Sequence, residues 1–306
     1  MSKTAFIYPG QGAQKAGMGA DFYENSATAR NIFDKAQEAL DFDLKTVCFE
    51  ENEKINMTEY TQAAMVTTCL AMTRVLMEKG LKPDITAGLS LGEYAAIAVA
   101  GAMDDIDAIR LVRKRGILMQ NTVPAGVGSM CAVLGLDASV IEQVISGIND
   151  VTIANYNCPG QIVITGKTEG ITKAAEDLKT AGAKRCVVLN VSGPFHSPML
   201  IPAGEQLRTE IEKVTLNELN IPYVTNVTAQ TVTDKNEICD LLTRQVASSV
   251  RWQQSVENMI ADGVDRFVEI GPGKTLAAFI KKINPEAIVY NVTCWDDVEK
   301  VAGELC

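Results

Sequence analysis

Pro83-Asp84-Ile85-Thr86-Ala87-Gly88-Leu89-Ser90-Leu91-Gly92 is the stretch from which the rest of this chain is read. Pro83 to Gly88 makes a short strand, and the alanine-rich run from Leu91 to Ala102 makes a helix. Between them lies Gly88-Leu89-Ser90-Leu91-Gly92, a G-x-S-x-G pentapeptide. Flanking glycines tolerate the strained strand-to-helix turn that lifts a serine hydroxyl out of a sheet. The helix start that follows carries backbone N–H groups without intrahelical partners, and these can hold negative charge on a nearby oxygen. Ser90 is therefore a candidate nucleophile.

Working outward, Thr4 to Tyr8 reads as a strand that stops at Pro9-Gly10 and opens into Gly10-Gln11-Gly12-Ala13-Gln14. A long helix spans Thr58 to Gly80, with Thr58 placed to cap its start and Gly80 to end it. A helix from Asp104 to Gln120 is followed by a hinge at Val123-Pro124-Ala125-Gly126-Val127-Gly128. The next segment runs strand Met130 to Leu134, helix Ala138 to Ile148, strands Val151 to Tyr156 and Gln161 to Thr165, helix Glu169 to Ala181 and strand Arg185 to Val191. This βαββαβ order is ferredoxin-like. From Leu200 a helix reaches Lys213, a strand covers Tyr223 to Val227, and helices lie between Asn236 and Ala261. A strand, Arg266 to Ile270, then turns through Gly271-Pro272-Gly273 into a helix, Leu276 to Lys282. The expected architecture is α/β. A large α/β-hydrolase-like domain with a mainly parallel sheet, residues 1–126 and 195–306, is interrupted by a small ferredoxin-like subdomain, residues 127–194.

Composition narrows the function classes. With 306 residues and 47% hydrophobic content, the chain can fill a large core. A net charge of -10 disfavours nucleic acid, which draws on basic surface. Lys281-Lys282 or Lys184-Arg185 could add to a basic patch for an acidic partner, but solvated surface charge is the simpler reading. No apolar run is long enough to span a bilayer, and Met1-Ser2-Lys3-Thr4 leads into a strand rather than a signal peptide, so a cytoplasmic protein is expected. The eight cysteines contain no C-x-x-C pair and Cys306 completes no prenylation motif, which points to reduced thiols and no metal site.

The chain has one histidine, His196, set in Pro194-Phe195-His196-Ser197-Pro198 at the return crossing from the small domain. A serine hydroxyl needs a neighbouring group to take its proton, and imidazole suits that task. If Ser90 is activated in this way, only His196 is available. No acid stands where α/β-hydrolases place their third member, which counts against a conventional esterase. Arg115 has apolar neighbours one turn away at Leu111, Val112, Leu118 and Met119, whereas Arg110, Arg113 and Lys114 cluster on another face. A lone arginine on an apolar face needs an anion, either an internal Asp or Glu or a substrate carboxylate. Two glycine loops fail as nucleotide sites. Gly10-Gln11-Gly12 has Lys15 where a dinucleotide fingerprint needs a small residue, and Gly271-Pro272-Gly273-Lys274-Thr275 has no glycine at 268. The first loop can still lend a backbone N–H to an oxyanion hole.

With these residues in place, the chain resembles the malonyl-CoA:acyl carrier protein transacylases of bacterial fatty-acid synthesis. The resemblance rests on Phe6 to Gln14, the serine motif continuing into Glu93-Tyr94, Arg115-Gly116 with Met119-Gln120, and Ala154 to Gln161. It continues through Pro194 to Pro198, Val250-Arg251-Trp252 and Glu269 to Lys274. It implies a ping-pong reaction in which malonyl-CoA acylates Ser90, His196 acts as base, and a phosphopantetheine thiol then takes the acyl group. By the same resemblance the N–H groups of Gln11 and Leu91 form the oxyanion hole, Arg115 holds the malonyl carboxylate, and the main-chain carbonyl of Gln245 orients the histidine. Phe195 matches malonyl-specific members, whose large ring would crowd an added methyl group. The implied partners are malonyl-CoA and acyl carrier protein, with no cofactor, no metal, no nucleic acid and no membrane, and a monomer is expected. The chain departs from the family at Leu89, where a second histidine is usual, at Ser249, where proline is common, and at Cys158, where serine is common. Competing readings are an acyltransferase serving a polyketide or other specialised pathway, a serine hydrolase, and a catalytically silent carrier-binding homologue.

Overall fold

The computed structural model describes residues 2–305. Met1 and Cys306, the C-terminal cysteine considered above for prenylation, lie outside the described residues. In chain order the strands are β1 (Lys3–Tyr8), β2 (Ile85–Gly88), β3 (Gly128–Leu134), β4 (Val151–Cys158), β5 (Gln161–Lys167), β6 (Arg185–Val188), β7 (Tyr223–Val224), β8 (Thr231–Val232), β9 (Val264–Ile270) and β10 (Ile288–Val292).

Six of them form one sheet in the order β10-β9-β1-β2-β7-β8, and every pairing except β7 with β8 is parallel. The central β1 is a continuous apolar run, Ala5-Phe6-Ile7-Tyr8, because both faces of a parallel sheet are covered. Phe6 and Tyr8 face the helices Ala27–Ala39, Thr58–Glu78 and Asp105–Asn121, while Ala5 and Ile7 face Trp252–Ala261 and Thr275–Ile283. The other four strands form an antiparallel sheet in the order β4-β5-β3-β6, which is the ferredoxin-like arrangement. The helices Ala138–Ile145 and Thr168–Thr180 pack on it around Ile141, Ile153, Ile164 and Leu178, a core separate from those of the parallel sheet.

Several local expectations change. Thr58 does not cap its helix. Met57 enters in an extended conformation, so Thr58 is already helical, and its hydroxyl accepts from Gln11 Nε2 at 3.0 Å and meets Ser192 Oγ at 2.9 Å. The strand expected over Tyr223 to Val227 stops at Val224, because the Thr225 N–H turns back to Gln230 O and the Asn226 side chain turns to the serine loop. Arg113, from the cluster on the other face of its helix, is buried and paired with Asp41 at 2.8 Å and Glu59 at 2.9 Å. The helices Ala20–Asn25, Ala27–Ala39, Leu44–Phe49 and Asp296–Leu305, and strand β10, had no counterpart in the sequence reading. Among the described residues no helix is long and apolar enough to cross a membrane.

Candidate active site

The turn after β2 is forced by contact with β1. A Cβ on Gly88 would stand 2.0 Å from the carbonyl carbon of Gly92, and one on Gly92 would stand 2.3 Å from the carbonyl oxygen of Tyr8. Only glycines let strand and helix approach so closely. Between them Ser90 is held at φ 55°, in the left-handed region that non-glycine residues seldom occupy. Asn226 braces the turn: its Oδ1 accepts the Ser90 N–H at 2.6 Å, and its Nδ2 donates to Gly88 O at 2.6 Å.

His196 arrives from the far side of the antiparallel sheet, also with a positive φ, 60°. Its Nε2 lies 2.7 Å from Ser90 Oγ, and its Nδ1 lies 2.9 Å from Gln245 O and 3.1 Å from Ser248 O. Carbonyl oxygens only accept, so Nδ1 carries the hydrogen and Nε2 presents its lone pair to the serine hydroxyl. The segment supplying these carbonyls is pinned to β4. Val250 N–H donates to Ala154 O at 2.8 Å and Val250 O accepts from Tyr156 at 2.9 Å, while Ser249 Oγ donates to Ile153 O at 2.5 Å. Burial, and secondarily the nearby Arg115 charge, push His196 down to about 4, so the imidazole is neutral near pH 7.

Arg115 is 1% exposed. Its Nη1 donates to Gln62 Oε1 at 2.8 Å, and its Nη2 donates to Gln245 Oε1 at 3.0 Å and to Ser90 Oγ at 2.9 Å. No ion pair joins Arg115 to a carboxylate among the described residues, and its Nε has no partner. The choice left open by the sequence therefore falls away from a directly paired internal acid. A buried guanidinium with an unfilled donor, touching the nucleophile itself, is suited to an anionic group of a substrate.

Ser90, His196, Gln11, Leu91 and Phe195 line one cleft of about 970 Å³, with Arg115 and Gln245 buried behind it. The main-chain N–H groups of Gln11 and Leu91 donate no hydrogen bond within the described residues. Leu89 also lines the cleft, its Cδ2 2.6 Å from where a Gly10 Cβ would stand. The Gly271-Pro272-Gly273 loop is not a phosphate cradle. Its following helix has the N–H groups of Leu276 and Ala277 already donated to Glu269, at 3.0 and 2.8 Å.

Sequence reasoning missed Gln62, Asn226, Ser248 and the role of Glu93. Only Glu93 carried a usable signal. It is the one charged residue on the apolar helix Gly92–Val99, and the rule that singles out Arg115 applies to it as well.

The acyl transferase domain model matches residues 5–292. The malonyl CoA-acyl carrier protein transacylase of Bacillus subtilis is 44% identical over 289 residues, covering 93% of this chain and 91% of that one. This chain belongs to the malonyl CoA-acyl carrier protein transacylase family. Solved transacylases share its fold. The Clostridium perfringens enzyme superposes with a TM-score of 0.95 at 42% identity, covering 99% of this chain and 97% of that one. A malonyl-transacylase solved with a type II PKS acyl-carrier protein gives 0.96 at 35% identity, covering 99% and 100%.

Proposed function

We propose that this chain moves a malonyl group from CoA to the phosphopantetheine thiol of acyl carrier protein, through a malonyl-Ser90 intermediate, in the fatty-acid synthesis of the cytoplasm. The observation that carries this reading is the buried Arg115, free of any carboxylate ion pair among the described residues, with its Nη2 2.9 Å from Ser90 Oγ. An acyl group whose far end is a carboxylate can be gripped there while its thioester meets the serine.

The steps follow from the hydrogen bonds. Ser90 Oγ attacks the thioester carbon as its proton passes to His196 Nε2, and the developing oxyanion is received by the N–H groups of Gln11 and Leu91. Each such donor is worth about 3 kcal/mol of transition-state stabilisation. Collapse breaks the C–S bond, and the CoA sulfur leaves with the proton from Nε2. In the second half the carrier thiol gives its proton to Nε2 and its sulfur attacks the ester carbon. Collapse then returns the proton to Ser90 Oγ. The two carbonyls on Nδ1 take the orienting place of a third acid, so the site is a dyad. No step consumes a cofactor.

Phe195 is read as the wall that crowds a branched acyl chain, and the cleft as the space between a lobe of residues 127–194 and a lobe of 1–126 with 195–306. The separate core around Ile164 supports that division. Intact-mass measurement after mixing with malonyl-CoA tests the proposal. A malonyl adduct is expected on the wild type and not on Ser90→Ala; wild-type protein that gains no mass overturns it.

A further inference from the structure

Glu93 is completely buried beneath the serine turn. Its Oε2 accepts from Gln245 Nε2 at 2.6 Å and from the Asn226 main-chain N–H at 3.2 Å. Both donors lead to reacting groups. Asn226 holds the Ser90 N–H through its side chain. Gln245 Nε2 also donates to Ser90 O at 2.9 Å, its Oε1 accepts from Arg115 Nη2 at 3.0 Å, and its main-chain oxygen accepts from His196 Nδ1 at 2.9 Å. One amide thus stands between a buried guanidinium and a buried carboxylate. Flipping it would set N–H against N–H and oxygen against oxygen, a cost that low dielectric enlarges.

We propose that Glu93 is a positioning residue for acyl transfer: its carboxylate locks the Gln245 amide in the orientation that aims Arg115 at Ser90 and seats His196 on the Gln245 carbonyl. This rests on the malonyl-transfer reading. Through the same amide Glu93 supplies Arg115 with a counter-charge at one remove, so that no carboxylate among the described residues pairs with the guanidinium directly.

A carboxylate in this place works against stability. Burial pushes Glu93 up to about 7, against the downward pull of Gln245, Thr225, Asn226 and Arg115. Its folded pKa lies above its unfolded value, so the folded chain binds more protons between about 4.5 and 7, and stability contributed by this group is lost as pH rises through that window. The titratable groups facing it are Arg115 from the helix Asp105–Asn121, Tyr94 on its own helix and Tyr223 on β7; His196 in turn faces Arg115.

Glu93→Gln keeps the shape and removes the charge. At pH 8 it is expected to melt no lower than the wild type, yet to lose at least tenfold in kcat for malonyl transfer. The wild type is expected to show an acid limb in kcat near pH 7, and the variant to lack it. An unchanged kcat, a limb with the same midpoint in the variant, or a failure to fold at pH 8 overturns the inference. Titration of ¹³C-labelled glutamate carboxyls in the wild type is a second measurement: a midpoint coinciding with the kcat limb supports it, and one in the ordinary carboxylate range overturns it. The malonyl adduct on wild-type Ser90 is measured first. Its absence sinks the transfer reading, whereas an adduct with unaltered Glu93→Gln kinetics sinks only the role of Glu93.

Discussion

Arg115 Nη2 donates to Ser90 Oγ at 2.9 Å, engaging the oxygen whose proton points to His196 Nε2 at 2.7 Å. The group suited to gripping an acyl carboxylate therefore also ties up a lone pair of the nucleophile. A carboxylate that draws the guanidinium toward itself frees that lone pair, so charge on the acyl group both binds and activates.

Arg115→Ala follows directly. Malonyl transfer is expected to fall by about 100-fold or more in kcat/KM, in keeping with the loss of a charge-assisted bidentate contact. Transfer of an uncharged acetyl group should hold or rise, since the competing donor is gone. Parallel rates with malonyl-CoA and acetyl-CoA check this, and an unchanged malonyl preference would remove Arg115 from its role.

Asn226→Ala tests the brace under the serine. It strips partners from the Ser90 N–H and the Gly88 carbonyl, both held at 2.6 Å. Leaving such groups unsatisfied costs about 1–3 kcal/mol each. Urea unfolding should show a loss of about 2–6 kcal/mol.

Acid should weaken the fold through His196. Its folded pKa, about 4, lies below its unfolded value of 6.5, so the unfolded chain binds more protons between them. Stability from this group is present above 6.5 and drains away as pH falls toward 4. His196→Gln should flatten that part of the profile in denaturation series at stepped pH. A slope of undiminished size in the variant would assign it elsewhere.

Phe195 is buried at the cleft wall. Phe195→Ser should raise the methylmalonyl rate relative to malonyl, by roughly tenfold to 100-fold, the range that one methyl group supports. Competition between the two thioesters measures it.

The serine turn, the ferredoxin-like order and the isolated arginine were all legible because each is local: a glycine spacing, a strand and helix rhythm, a charge on an apolar face. The brace was not. Asn226 lies 136 residues from Ser90, in a segment whose own composition suggested only a continuing strand. Gln62 and Ser248 act through an amide oxygen and a main-chain carbonyl, groups that every glutamine and every residue possess. Thr58 illustrates the converse, a residue with a local explanation whose hydroxyl instead joins Gln11 and Ser192 across the cleft. Local pattern locates the reacting atoms, and long-range closure decides what steadies them.

The placement of β1 between β2 and β9 has a consequence for biosynthesis. On a growing chain, β1 and β2 emerge together, but the other edge of β1 waits for Val264–Ile270, made long after them. Until then Ala5-Phe6-Ile7-Tyr8 presents an unpaired apolar strand edge, a hazard that nascent chains share with other late-closing parallel sheets. The residues of the serine turn are made early, whereas its Asn226 brace comes 136 residues later and the carbonyls that seat His196 arrive only with residues 245–248. Ribosome-bound fragments ending before that point carry the nucleophile without its oriented base, so acyl transfer waits for residues 245–248.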